Sequence, residues 1–369
     1  MKKTVSPFST LNIVGTDYSE EFILTVQNRL SDFMKKSKMA FSENTHRARV
    51  ADFKIYKAWC DDRKLIPVPA HPENIEKFIW DSVADPDIDE NTGEILFDNE
   101  GDELLVQIRS VATIERYLAT IKYLHEASRE VLMEYTGMED FNPQKYRNPV
   151  DTLRVKLALR TIKRRFRTRP QRQAQAMRLD LVNTILEELD NSLRHTLYKA
   201  LVSVAFDSML RCSELVRIEM DHLTINDDGS GKVFIPFHKS DQEGEGGYRY
   251  LSSVSVELIH NWSVKARITS GLLFRSVDRA GIVLDSMHKG RVAKIYKNVG
   301  RLSGADVSKL SAHSTRVGAA QELLSNGASL PALMVAGDWK SSAMPVRYAQ
   351  KINVETGAMS ELSKSRGRS

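Results

Sequence analysis

The chain predicts a mainly α-helical protein with a small β-hairpin or sheet in its second half, an α+β catalytic-type domain following a purely helical one. Three observations carry that expectation. Apolar residues recur three or four apart from about residue 42 to 166 and again beyond residue 181. Only GKVFIPF and GGYRYLS, separated by a Gly-rich turn, alternate persuasively as strands. Charge also reverses along the chain, an acidic stretch being followed by a basic one.

Residues 1–20 read as a flexible N-terminus, and a helical domain spans 21–168. After SENT, where Ser42 or Asn44 can cap a helix by accepting backbone N–H groups, Val50, Phe53, Ile55, Ala58 and Trp59 form an apolar side opposite a basic one that includes Arg47 and Arg49. Pro67, Pro69 and Pro72 interrupt the pattern, Ile75, Phe78 and Ile79 resume it, and Thr113 can cap a helix carrying Ile114, Leu118, Ile121 and Leu124. Between these, residues 81–105 carry ten acids and no Lys or Arg, an expected exposed loop or a hairpin around ILFDNEGDELLV. The run DIDENTG falls short of a calcium loop, because its glycine stands seventh rather than sixth and Asp98 stands twelfth where Glu is needed, so no metal site is expected.

From Arg160 to Arg178 the chain carries Lys163, Arg164, Arg165, Arg167, Arg169 and Arg172 with no acid, while Leu157, Ile162 and Phe166 keep an apolar side until Pro170 stops the helix. This basic face is either simply solvated or a strap across DNA phosphates, where each contact releases counterions. Residues 169–176 read as a linker into a second domain, 177–352, with a tail at 353–369. In that domain Leu181, Ile185, Leu186 and Leu189, then Leu197, Leu201, Val204 and Ala205, mark two helices, and Asn326–Gly327 and Gly337 mark helix stops.

Bulk composition permits nucleic-acid binding without requiring it. The 369 residues carry 53 Lys and Arg against 48 Asp and Glu, a net charge of +5 and a pI near 9.0. Two cysteines, Cys60 and Cys212, make neither a disulfide framework nor a metal pair and fit a reducing compartment. No leader or membrane-spanning run is apparent, so the expectation is a soluble, unsecreted protein that engages no membrane.

A lone His-x-x-Arg carries little weight, and the chain has three: His46 with Arg49, His288 with Arg291, and His313 with Arg316. Only the third belongs to an ordered series. SMLRCSEL, placing Arg211 and Glu214 one helical turn apart, and PFHKSDQEGEGG, placing Lys239 in the hairpin turn, precede it; Trp339 and Tyr348 follow in GDWKSSAMPVRYAQ. Guanidinium forks match the oxygens of a phosphodiester under attack, which suits Arg211 and Arg316 to a phosphate clamp, and the Trp339 indole can add a neutral N–H donor. A tyrosine at its ordinary pKa of about 10 attacks poorly unless its proton is taken. A lysine on a turn suits protonation of a leaving oxygen. Glu214 either holds Arg211 in place or is an exposed helix glutamate.

The series Arg…Lys…HxxR…Trp…Tyr, with RCSEL, AHSTRVGAA, GDW and RYA, resembles the tyrosine recombinase, or phage integrase, family, and its wording is most similar to Cre-like site-specific recombinases. SENTHRARVADFKIYKAWC, SVATIERYLATIKYLHEASRE and LRTIKRRF look like helices of that family's core-binding domain, and ETGAM like the start of its tail; the acidic segment departs from the pattern. The resemblance implies a two-domain, C-shaped DNA clamp in which Tyr348 forms a 3′-phosphotyrosine link, His313 assists proton removal and contacts the phosphate, and Lys239 is the general acid. It implies double-stranded DNA with inverted-repeat half-sites as partner, a homo-tetramer on two sites exchanging strands through a Holliday junction, and a monomer when free. It further implies a bacterial cytoplasmic, nucleoid- or plasmid-associated location and no cofactor. Arg47, Arg49, Lys163, Arg164, Arg165, Arg167 and Arg169 are the expected DNA-binding residues. The tail either passes to a neighbouring protomer, anchored by Met359 and Leu362, or frays. Rival expectations are a type IB topoisomerase-like or telomere-resolvase nicking-closing enzyme, or a catalytically silent DNA-binding regulator.

Overall fold

The structure is a computed structural model that describes residues 28, 31–36, 40–65, 67–68, 70–89, 92–98, 103–140, 147–166, 173–236, 245–349, 362–363 and 365–366, with the side chains of 132–140 and 349 outside the description. The chain divides into two compact units, Met1–Gln171 and Arg172–Ser369. No helix among the described residues is long and apolar enough to cross a membrane.

The first unit is built on helices α1 (Glu43–Asp62), α2 (Pro72–Val83), α3 (Val111–Asp140) and α4 (Leu153–Arg165). Ser42 caps α1 as expected, its hydroxyl accepting the Thr45 N–H at 3.3 Å, and Pro72 opens α2 where its missing N–H costs nothing. Most of the predicted apolar residues converge: Phe53, Ile75, Phe78, Ile79, Ile114 and Ile121 are buried in one cluster, with Tyr56 in the place expected for Ile55, which is exposed, as is Leu157. Two boundaries differ from expectation. Helix α3 starts earlier, because Ser110 rather than Thr113 is the cap and accepts the Thr113 N–H at 3.3 Å. Helix α4 closes at Arg165, with the Phe166 N–H turned back onto the Ile162 carbonyl, before Pro170, which lies outside the described residues.

The acidic segment pairs as an antiparallel ribbon. Strand β1 (Ala84–Pro86) lies against β2 (Leu105–Gln107) with Ala84 opposite Gln107, and bridges at Ile88 with Ile95 and Phe97 with Glu103 extend the pairing. Repulsion among the acids does not prevent this, since the ladder bonds are made by backbone and Asp85, Glu94, Asp98 and Glu103 are exposed to solvent.

In the second unit, α5 (Leu179–Glu188), α6 (Leu193–Ser208), α8 (Ser253–Ala266) and α9 (Gly290–Leu302) enclose the main core around Leu201, Trp262, Phe274 and Tyr296. The expected hairpin is present as β4 (Gly231–Ile235) and β5 (Gly247–Leu251), with Val233 opposite Arg249. A third strand, β3 (Leu223–Ile225), pairs antiparallel with β4; three residues are too few to show alternation in sequence. One half-buried carboxylate fastens helix to sheet. Asp207, next to the end of α6, accepts the Ser252 N–H at 2.7 Å and the Ser252 and Ser255 hydroxyls at 2.6 Å each, where β5 runs into α8.

The short helix α7 (Cys212–Leu215) follows α6, and α10 (Ser314–Ser325), α11 (Leu330–Gly337) and α12 (Ala343–Ala349) form a smaller cluster in which Met209, Val317, Ala320, Leu333 and Tyr348 are buried together. The segment expected as linker is tied down at its far end: the Gln175 N–H donates to the Lys309 carbonyl and the Met177 N–H to the Ser314 carbonyl. It runs so close to α10 that a Cβ at position 318 would lie 1.9 Å from the Met177 carbonyl oxygen, so only glycine fits there.

Candidate active site

Arg211 sits at the turn between α6 and α7. Met209, held at φ 51°, swings the backbone out of α6, and Arg211 becomes the first residue before α7. Glu214 then grips it twice: Oε2 accepts the Arg211 backbone N–H at 2.9 Å, and Oε1 accepts from Nη1 at 2.8 Å. Glu214 is only 7% exposed, so of the two readings left open by the sequence it is the clamp that the structure contains, not the exposed glutamate. A carboxylate spent on backbone and guanidinium together fixes the rotamer of a long side chain that would otherwise be free.

Arg316 is held differently. It lies in the first turn of α10, is 3% exposed, and donates from Nη1 to the Met209 carbonyl and from Nη2 to the Gly337 carbonyl. Both acceptors belong to chain reversals: Met209 is itself left-handed, and Gly337 precedes Asp338 at φ 51°. The guanidinium carbon lies 4.2 Å from the centre of the Trp339 ring, and that ring meets the Tyr348 ring edge-on, centres 5.7 Å apart at 63°. Position 337 must be glycine for this arrangement, because a Cβ would lie 1.9 Å from Cζ3 of Trp339. Burial, then the neighbouring Arg211 charge, brings the Arg316 pKa down to about 10, which still leaves it protonated at neutral pH.

Tyr348, on α12, is 6% exposed. Burial raises its pKa, opposed by the charges of Arg316, Arg347 and Arg211, so the phenol is protonated at neutral pH yet faces cations that would stabilise its anion. The Gln321 amide donates to the Tyr348 carbonyl at 3.5 Å, a long bond across α10 and α12. His313 is exposed at the start of α10, and its pKa is lowered by partial desolvation and then by the charges of Arg316 and Arg211. At neutral pH its ring is therefore neutral and able to accept a proton.

Five of the expected residues, Arg211, His313, Arg316, Trp339 and Tyr348, are thus linked by contact or by mutual electrostatic influence, with Glu214 behind Arg211. Lys239 lies outside the described residues, as do Arg167 and Arg169. The other two His-x-x-Arg pairs have local employment. Arg49 stacks between Phe41 at 4.0 Å and Tyr123 at 3.8 Å, and His288 accepts the Gly290 N–H. On the expected DNA-binding face, Arg47 pairs with Glu43, Lys163 with Glu115 at 2.5 Å, and Arg165 donates to the Glu103 carbonyl; Arg164 is exposed on α4.

Two charged residues at this site escaped the sequence reading. Asp338 places Oδ2 4.0 Å from Nη1 of Arg211 and 3.7 Å from Nη2 of Arg249. Arg249 had one available signal: in GYRYL it shares its register with Gly247 and Leu251, the inward side of the strand, where an apolar residue is the norm.

Residues 175–353 match the phage integrase family. That stretch, which makes up most of the second unit, is a phage integrase family domain, the domain of tyrosine recombinases. It is 25% identical over 360 residues to the recombinase Cre of Escherichia phage P1, covering 91% of this chain and 92% of Cre. It is also 25% identical over 355 residues to an integrase/recombinase XerD homolog of Selenomonas ruminantium, covering 94% of this chain and 91% of that protein. In fold it resembles the Tn1549 transposon integrase in complex with circular intermediate DNA, with a TM-score of 0.57 at 12% identity over 86% of this chain and 94% of that one. It resembles likewise the XerH site-specific recombinase bound to its difH substrate, with a TM-score of 0.53 at 13% identity over 94% and 91% of the two chains. The mainly helical architecture with small sheets is the one these recombinases share.

Proposed function

We propose that this protein is a site-specific DNA recombinase in which Tyr348 is the nucleophile, Arg211 and Arg316 hold the scissile phosphate, His313 takes the tyrosine proton, Trp339 lines the phosphate site, and Glu214 positions Arg211. The observation that carries this reading is the coupling of the Tyr348 phenol to Arg316 and Arg211 within one unit.

The chemistry follows from the electrostatics. The phenol oxygen attacks phosphorus, its proton passing to His313, which partial burial and the two guanidinium charges keep neutral. Charge gathers on the non-bridging oxygens, and the two arginines, Arg316 buried and Arg211 oriented by Glu214, meet it with little reorganisation. The 5′-oxygen departs with a proton from Lys239, leaving a 3′-phosphotyrosine and a free 5′-hydroxyl. Bond energy is conserved, so a 5′-hydroxyl from a second duplex reverses the step and completes an exchange with no ATP or metal. The near-complete cover over Tyr348 implies that α12 shifts to bring the phenol to the phosphate when DNA binds.

The partner is double-stranded DNA. In this reading its sites are inverted-repeat half-sites, four protomers pair two sites through a Holliday junction, and the protein works on DNA in a bacterial cytoplasm. The exposed basic end of α4, with Arg164 at its centre, contacts backbone phosphates.

The test is covalent trapping on a nicked suicide duplex carrying the protein's site. Wild-type protein should accumulate a DNA adduct, and Tyr348→Phe should bind the duplex with unchanged affinity and form none. Equal trapping by the two proteins would refute the assignment.

A further inference from the structure

The side chain of Arg249 is 13% exposed and points to the inner side of β5, yet its register is one where the sheet elsewhere places Leu251. A guanidinium so covered needs partners, because leaving a charge unpaired away from water is costly. It has two. Nη1 donates to the Tyr248 carbonyl at 2.8 Å, which a short polar side chain could also do, and Nη2 faces Asp338 Oδ2 at 3.7 Å. That same oxygen stands 4.0 Å from Nη1 of Arg211. One carboxylate oxygen therefore sits between two guanidiniums, where it neutralises both from beyond ordinary hydrogen-bond length. Its charge also acts on Arg316.

The surrounding framework keeps this geometry fixed. Asp207 ties the end of α6, two residues after which Met209 begins the turn to Arg211, to Ser252, three residues after Arg249. Arg211 and Arg249 are thereby referred to one anchor. On the other side Asp338 is locked at φ 51° between Gly337, whose carbonyl holds Arg316, and Trp339, whose ring stacks on it.

An anionic oxygen held between two guanidiniums, one of which also acts on the Tyr348 phenol, marks where a phosphate oxygen fits. We propose that Arg249 is a third phosphate-contacting arginine of this site, and that Asp338 is an internal stand-in for the phosphate, occupying the Arg211–Arg249 gap until DNA displaces it. The proposal rests on the strand-exchange reading above. The displaced carboxylate lowers affinity for phosphates in general, and Arg249 then shares the charge that develops on a non-bridging oxygen.

The experiment is single-turnover cleavage of the nicked suicide duplex, compared with the same duplex carrying a methylphosphonate at the scissile position, where a neutral methyl replaces one charged oxygen. Arg249→Ala should slow cleavage of the phosphate substrate by about 100-fold, as loss of a preorganised oxyanion donor does. On one methylphosphonate diastereomer the defect should shrink to less than about threefold, because the charge that Arg249 answers is gone. Asp338→Asn, which keeps the side-chain shape, should bind the phosphate duplex more tightly than wild type. An Arg249→Ala defect of equal size on both substrates, no defect at all, or weaker binding by Asp338→Asn would overturn the proposal. Wild-type protein that forms no adduct on the phosphate duplex would instead remove the strand-exchange reading itself, so the two failures are distinguishable.

Discussion

In the first unit Arg49 lies between the rings of Phe41 and Tyr123, Lys163 pairs with Glu115, and Arg47 pairs with Glu43 one turn away. In the second, Arg316 is buried on two backbone carbonyls and Arg211 is gripped by a buried Glu214. The cations of the first unit are partnered by side chains that a phosphate could replace or by rings that only pack. In the second, Arg316 rests on two carbonyls, which neutralise little of its charge, and Glu214 fixes the direction of Arg211 while pairing with it. Cationic composition is thus a poor guide to where a phosphate is bound, whereas a guanidinium made costly by burial and kept charged is a good one.

The largest break in this comparison comes from Arg316→Lys. A single ammonium cannot span the Met209 and Gly337 carbonyls and still face a phosphate, because lysine lacks the planar fork. Cleavage should fall by about 100-fold or more while DNA binding changes little, as for other lost transition-state donors. Retention of wild-type cleavage in a rapid-quench assay would show that the two-carbonyl cradle has no bearing on the reaction.

A smaller effect separates arginines within the first unit. Arg49→Ala should lower its stability by about 1 kcal/mol, the scale of a stacked cation on aromatic rings, and leave the salt dependence of DNA binding unaltered. Arg164→Ala should leave the melting temperature unaltered and reduce the slope of log K against log salt by about one. Thermal melts and a salt titration of binding read both, and a shallower slope for Arg49→Ala would mean that its stacked guanidinium reaches phosphate as well.

The proposed catalytic series was legible because Arg, Lys, His-x-x-Arg, Trp and Tyr follow one another in a single order, although Arg and Lys are common in this chain, and the helices because their apolar spacing is long and regular. What escaped is instructive in the same terms. Strand β3 is three residues long, too short for period two to register. Ser110 displaced Thr113 as a cap because both hydroxyls are competent and only the start of the helix decides. The pairing of the acidic segment depends on backbone bonds to which its charged side chains give no clue. Glu214 could be read two ways until its burial was known. Asp338 and Arg249 are 89 positions apart, and nothing local announces that they meet. The cover over Tyr348 was likewise invisible, since exposure of one phenol depends on Met209, Val317 and Leu333 arriving from three separate segments.

The central claim is that the Tyr348 oxygen joins the DNA. Digestion of the trapped adduct, followed by mass spectrometry of the DNA-linked peptide, tests it most directly. The linked peptide should carry a 3′-phosphodiester on Tyr348, with a free 5′-hydroxyl on the released strand. Attachment at any other residue, or a 5′-phosphate linkage, would contradict it.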